Sequence, residues 1–161
     1  MSDNCPDIWN VLHDAIVVGV SAPAPGDVAL ELACDYLRDR FPDPGNRFVL
    51  TLHSCDRLEY RPWTDEENAI TDFSEIERRR LWVLSADPVD GHCKVLCSEA
   101  ILKGIGGTLT VSSSAAFLRL DTGRDVSLAE IMQVATEYWD EWEAAGKAAL
   151  ARENQEQEGK D

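Results

Sequence analysis

The chain has few basic residues and no long apolar run. Its 161 residues include 15 Lys and Arg against 30 Asp and Glu, which gives a net charge of −15. A surface of that sign repels the phosphate backbone, so direct nucleic-acid binding is not expected. No apolar stretch approaches the roughly 20 residues that a membrane-spanning helix needs, so a membrane protein is not expected either.

Two further features are missing. Residues 1–14 carry neither a basic segment nor an apolar core, so they do not resemble a secretory signal. The five cysteines are odd in number and contain no C-x-x-C pair, so a disulfide framework is not expected. Together these absences predict a cytoplasmic protein with free thiols.

What the sequence does contain is a ladder of eight short apolar runs, separated by turn residues and followed by one amphipathic helix. In one run Val28, Leu30 and Leu32 share a face and Glu31 takes the other, which is typical of a half-buried strand. The pattern predicts an α+β fold: a curved, mostly antiparallel meander sheet of six to eight strands with a C-terminal amphipathic helix packed on one face. The runs are Ala15–Ser21, Asp27–Cys34, Phe48–His53, Arg57–Arg61, Arg80–Ala86, His92–Ser98, Thr108–Ser113 and Ala116–Asp121.

The segments between the runs are less regular. A short helix is predicted over residues 5–13, one helical turn within 35–46, and either a short helix or an irregular crossing over 64–79. Over residues 48–61 the same alternation of side chains, with the apolar ones at even-numbered positions, continues for fourteen positions, which is long for a strand. Either one strand bends at 54–56 or a tight hairpin forms there. Residues 81–84 are apolar at every position, which predicts a central strand covered on both faces, with Trp82 in the core.

The C-terminal helix begins at a capping box formed by Ser127 and Glu130. Apolar residues follow at three- and four-residue spacing and predict a helix to about Trp142, or on to Arg152. We therefore expect a single domain over residues 1–152. Residues 153–161 contain no apolar side chain, which predicts a disordered acidic tail.

No catalytic constellation stands out. His53 and Cys55 share a strand face and, with His13 or His92, form the best metal candidate, but the sequence supplies no complete ligand set. We therefore expect no metal, no cofactor and no enzymatic activity. Cys34, Cys93 and Cys97 fall on the same strand faces as their apolar neighbours, so these thiols are predicted to be small core residues.

Two tryptophans differ from the others in their surroundings, because Trp63 follows Pro62 and Trp142 lies among acids. Each is predicted to be an exposed anchor for a partner protein, since aromatic residues are enriched at interfaces. The carboxylates beside them would then contact a basic partner. The predicted partner-binding residues are Trp63, Asp65, Glu66, Glu67, Asp140, Glu141, Trp142 and Glu143.

The segments 9–16 and 138–142, which read WNVLHDAI and YWDEW, carry a family resemblance. With the strands between them, they resemble small bacterial cytoplasmic proteins, among them the immunity-type proteins encoded beside polymorphic toxins. The resemblance implies a non-enzymatic protein with a curved antiparallel sheet, whose acidic surface covers the basic active site of a toxin. It assigns no role to any single residue.

Three functional hypotheses follow. The first is a binding protein that, as the resemblance to immunity proteins suggests, inhibits a basic partner. The alternative is a small-molecule-binding module that uses the interior of the curved sheet. The third is a metal-dependent enzyme, which would require His53 and Cys55 to converge with another histidine.

Overall fold

An antiparallel sheet with helices packed on it forms the molecule, and the computed structural model describes residues 4–158. Within these residues the sheet has nine strands in the order β4-β7-β6-β5-β1-β2-β3-β8-β9, and it is not closed. The elements in chain order are α1 Cys5–Val11, β1 Ile16–Ser21, β2 Val28–Ala33, α2 Asp35–Arg38, β3 Phe48–His53, β4 Arg57–Pro62, α3 Phe73–Arg78, β5 Leu81–Val89, β6 His92–Glu99, β7 Gly106–Ser112, β8 Ala115–Leu120, β9 Asp125–Val126 and α4 Leu128–Glu158.

The predicted α+β class, with an antiparallel sheet and a C-terminal helix packed against it, is confirmed. The alternation in β2 is also confirmed, since Val28, Leu30 and Leu32 are buried and Glu31 is exposed. The described sheet has one strand more than the expected maximum, because β9 adds a two-residue pairing to β8.

The question left open over residues 48–61 is decided by strand pairing. β3 and β4 do not pair with each other, as a hairpin would require: β3 pairs with β2 and β8, and β4 pairs with β7. The chain bends at Ser54, whose φ is 47°. β7 and β8 run alongside with a similar break at 113–114, so the two segments form one bent antiparallel ribbon.

The core-facing side of the sheet is occupied by α1. Trp9 and Leu12 are fully buried, and α1 packs against β5, β6 and β8. The side-chain amide of Asn10 also pairs with a strand: it accepts from Ala86 N at 2.7 Å and donates to Ala86 O at 2.8 Å. The side chain of Asn10 thus pairs with the backbone N–H and C=O groups of Ala86, as a neighbouring strand would.

The β5–β6 hairpin has a shorter loop than the five-residue gap between the apolar runs Arg80–Ala86 and His92–Ser98. Its loop is Asp90-Gly91 alone, with φ values of 51° and 78°, which suits the two-residue turns that twist with their strands. The prediction that β5 is covered on both faces is wrong. Trp82 and Leu84 are each 41% exposed, because α1 packs on the other face of β5, where Val83 is buried.

The start of α4 confirms the Ser127 cap, since Ser127 Oγ accepts from Glu130 N at 3.1 Å. The Glu130 carboxylate does not return to the cap and instead accepts from Arg124 at 3.0 Å. The helix continues past Arg152, so residues 153–158 of the expected tail lie in its last turns. Residues 159–161 lie outside the described residues.

The thiol predictions can be compared directly with burial. Cys34, Cys93 and Cys97 are all buried, which confirms them as core residues. Burial raises the pKa of Cys34 and of Cys97 to about 12, so these two thiols stay protonated and unreactive at neutral pH.

Candidate partner-binding surface

The first half of α4 holds the helix on the body of the protein. Its own side chains at Ile131 and Ala135 are buried. Further along, the Trp139 ring stacks on His13 with 5.3 Å between ring centroids and 16° between planes, and Tyr138 lies 4.7 Å from Tyr36. These contacts fix α4 against the segments that contain α1 and α2.

A groove lies between α1 and α4. Its volume is about 460 Å³. Val11, Met132 and Trp139 give it an apolar lining, and Asp7 and Asp140 lie at its polar edges. Met132 is 50% exposed and lines the groove. An apolar groove edged by carboxylates suits a chain segment with an apolar face and basic flanks.

Beyond Trp139, α4 leaves the body of the protein. Every side chain from residue 140 to residue 157 is exposed, which corresponds to about 27 Å of helix at 1.5 Å per residue. Trp142 is 63% exposed, and its ring centroid lies 5.9 Å from that of Trp139, which lines the groove. A large aromatic side chain held in this way is preorganised to enter a partner's pocket.

The charges of this region are mostly negative. Among the predicted residues, Glu141 accepts from Arg40, and this hydrogen bond lowers the pKa of the Glu141 carboxyl. Glu143 pairs with Lys147 at 2.6 Å. Asp140 forms no ion pair with any residue in 4–158, so its charge is available to a partner.

The structure does not bring the two predicted clusters onto one helix or one groove. Trp63 is 49% exposed, as predicted, and begins the turn that follows β4 at one end of the strand order. Asp65 is used within that turn, where it accepts from Asn68. The backbone carbonyls of Glu66 and Glu67 accept from Arg61. The Trp63 cluster is therefore a second surface, beside a cationic side chain.

The groove residues from α1 were missed by the sequence analysis. Asp7 and Val11 are four residues apart, so they share the face of α1 that borders the groove. Their spacing was visible in the sequence. The partner helix lies about 125 positions away in the chain, and no local pattern pairs these two helices.

The histidines do not form the metal candidate. His53 Nδ1 lies 2.8 Å from Asp27 Oδ1, whereas Cys55 Sγ donates to Arg57 O. His13 is instead stacked on Trp139. Within residues 4–158, no group of three or more His, Cys, Asp or Glu side chains is arranged to hold a metal ion.

Comparison of the chain with protein-family models, with curated proteins and with solved structures finds no match. Among the described residues, no helix combines the length and the continuous apolar character that crossing a membrane requires.

Proposed function

We propose that this chain is a non-catalytic binding protein that docks a basic segment of a partner protein in the groove between α1 and α4. The observation that carries the proposal is the exposed Trp142 on a projecting acidic helix, where its ring contacts Trp139 of the apolar groove. Exposed apolar surface rimmed by charge is typical of interaction sites. The resemblance to immunity-type proteins suggests that the partner is a toxin and that binding inhibits it.

Apolar contacts and charge would make separate contributions to recognition. The apolar floor, with Val11, Met132 and Trp139, would bury the partner's apolar side chains and supply most of the affinity. Asp140 and its neighbours would accelerate encounter with a basic surface, in line with the net charge of −15. The interior of the sheet is occupied by α1, so a small-molecule function would have to use an outer cleft instead.

The test begins with photo-crosslinking from position 132 in extracts of the source cells, with position 117 as the control. Phe117 is 53% exposed on β8, outside the groove, and Met132 is 50% exposed. The captured protein is then purified and titrated calorimetrically. A basic protein that cross-links at 132 and not at 117 is expected.

Variants then separate aromatic from electrostatic contributions. Trp142→Ala is expected to weaken binding about tenfold or more, and Phe117→Ala to leave it unchanged. Removing two charges with Asp140→Asn and Glu143→Gln should slow association, and raising the salt from about 0.05 to 0.5 M should do the same in the wild type. Equal affinity of the wild type and the Trp142 variant, or an affinity that does not change with salt concentration, would contradict the proposal.

A further inference from the structure

A polar trough lies on the outer face of the sheet, and among the described residues its lining comes from β4, β6, β7 and the turns beside them. It follows β7, whose outward side chains at Thr108 and Thr110 are short. The neighbouring strands carry long side chains there: Arg57, Glu59 and Arg61 on β4, and Lys94 on β6. Strands are about 4.8 Å apart, so the two walls stand about 10 Å from each other above a floor of hydroxyl groups. The volume is about 480 Å³.

One wall is preorganised by a single carboxylate. Glu59 Oε1 accepts from Arg57 at 2.6 Å and from Arg61 at 3.1 Å, and its side chain is only 12% exposed. The hydrogen bond from Arg57, joined by that from Arg61, lowers the pKa of Glu59 despite its burial, so the carboxylate stays ionised. Two guanidinium groups held by one carboxylate leave one net positive charge on this wall.

The opposite wall adds a second positive charge. Lys94 is exposed and forms no ion pair with any residue in 4–158. It lies opposite Thr110 on one side of β7, and Glu59 lies opposite Thr110 on the other side. His92 stands beside it, and its Nδ1 atom is buried without a hydrogen-bond partner among the described residues. The charged side chains of β4 and β6 in the trough, which are Arg57, Arg61 and Lys94 against Glu59, thus sum to two positive charges, and the carboxylates of Glu66 and Asp90 in the adjoining turns offset them.

An aromatic ring closes one end of the trough. Trp63 lies over Gly106, so closely that a Cβ at Gly106 would stand 2.7 Å from the ring atom Cζ3. Glycine at this position is therefore what admits the ring. Apart from Glu59, which holds Arg57 and Arg61, the carboxylates that line the trough are those of Glu66 and Asp90, which lie in the turns beyond the strands. A ligand that enters meets cations at the centre and a flat apolar surface at one end.

We propose that this trough binds a small organic phosphate, with the phosphoryl group between Arg61 and Lys94 and a flat group against Trp63. A phosphate monoester carries about −1.5 to −2 charges at neutral pH, which matches the charge of the two walls. The hydroxyl groups of Thr108 and Thr110 donate to the remaining oxygens. This site is separate from the groove between α1 and α4 and does not depend on the function proposed for that groove.

The test is a titration followed by the backbone amide resonances of β7, with inorganic phosphate and phenyl phosphate as the probes. Saturable shifts at residues 108–110 are expected with both probes, with millimolar dissociation constants. Phenyl phosphate should bind about fivefold more tightly than phosphate, because its ring contacts Trp63. Lys94→Gln should weaken both probes about fivefold or more, whereas the control Lys103→Gln, in an exposed turn, should change neither.

Three results would overturn the site. The first is the absence of saturable shifts up to about 20 mM of either probe, a concentration at which even a weak anion site would be occupied. The second is unchanged binding in Lys94→Gln, which keeps its fold because the side chain is exposed. The third is equal affinity for the two probes, which would remove the role of Trp63 and reduce the trough to a site for free phosphate.

Discussion

Replacing the buried arginine of α2 tests how the loop after that helix is held. Arg38 is 1% exposed and donates four hydrogen bonds. Three go to backbone carbonyls, those of Asp43 at 3.2 Å, Pro44 at 2.7 Å and Arg47 at 3.1 Å. The fourth goes to Asp121 Oδ1 at 2.8 Å, which ties the loop to the end of β8. Arg38 is therefore the centre of a buried polar network.

The size of the effect follows from what the variant Arg38→Met leaves behind. The methionine keeps the apolar stem but leaves three carbonyls and the Oδ1 atom of Asp121 without the guanidinium donor. Breaking a buried pair by removing one partner costs about 3–5 kcal/mol. In a chain of 161 residues, a loss of 1 kcal/mol lowers the melting temperature by roughly 2–4 °C. The expected decrease is therefore about 6–20 °C.

The assay is thermal and urea unfolding followed by circular dichroism. The matched control is Arg40→Met, two residues along the chain, whose guanidinium pairs with Glu141 at the surface. This control should leave the midpoint almost unchanged, because exposed ion pairs contribute little. If Arg38→Met lowered the midpoint no further than Arg40→Met, the network would not support the fold and the reasoning would be refuted.

Three more predictions follow from buried polar groups and thiols. Asn10→Ala removes both hydrogen bonds to Ala86 and should cost about 1–3 kcal/mol, and an unchanged calorimetric midpoint would contradict it. A thiol reagent should modify the half-buried Cys55 first and leave Cys97 unmodified until the chain unfolds, and mass spectrometry of the labelled peptides would reveal the reverse order. Burial acts to raise the pKa of Asp121, but the hydrogen bonds from the buried guanidinium and two backbone amides hold it below its usual value. The stability that Asp121 supplies is present above the pKa of the unfolded carboxyl and is lost as the pH falls through the pKa of the folded one. Asp121→Asn should therefore make the free energy of unfolding depend less steeply on pH in the acid range. An acid-unfolding curve that did not change would contradict this.

The sequence predicted the parts of the fold that depend on local alternation. The buried face of β2, the cap at Ser127 and the buried positions of Cys34, Cys93 and Cys97 could all be read from neighbouring residues. Local patterns carry this information because side chains alternate along a strand and a helix cap spans only four residues.

The errors have a common physical origin, which is the absence of information about distant partners. A strand with apolar residues on both faces does not reveal which face a helix will cover, so Trp82 was misplaced in the core. The bent ribbon formed by residues 48–62 and 106–120 depends on pairing across more than forty residues. The groove needs two helices from opposite ends of the chain, and of the residues that line it only Asp140 is among the partner-binding residues that the sequence predicts.

Amide hydrogen exchange of the chain, with and without the captured basic partner, tests the docking surface most directly. The partner should slow exchange in residues 5–14 and 131–147, which line the groove and continue along the projecting helix. Exchange in residues 57–68, at the other predicted cluster, should not change. Protection confined to 57–68, or no protection on either side of the groove, would contradict the account.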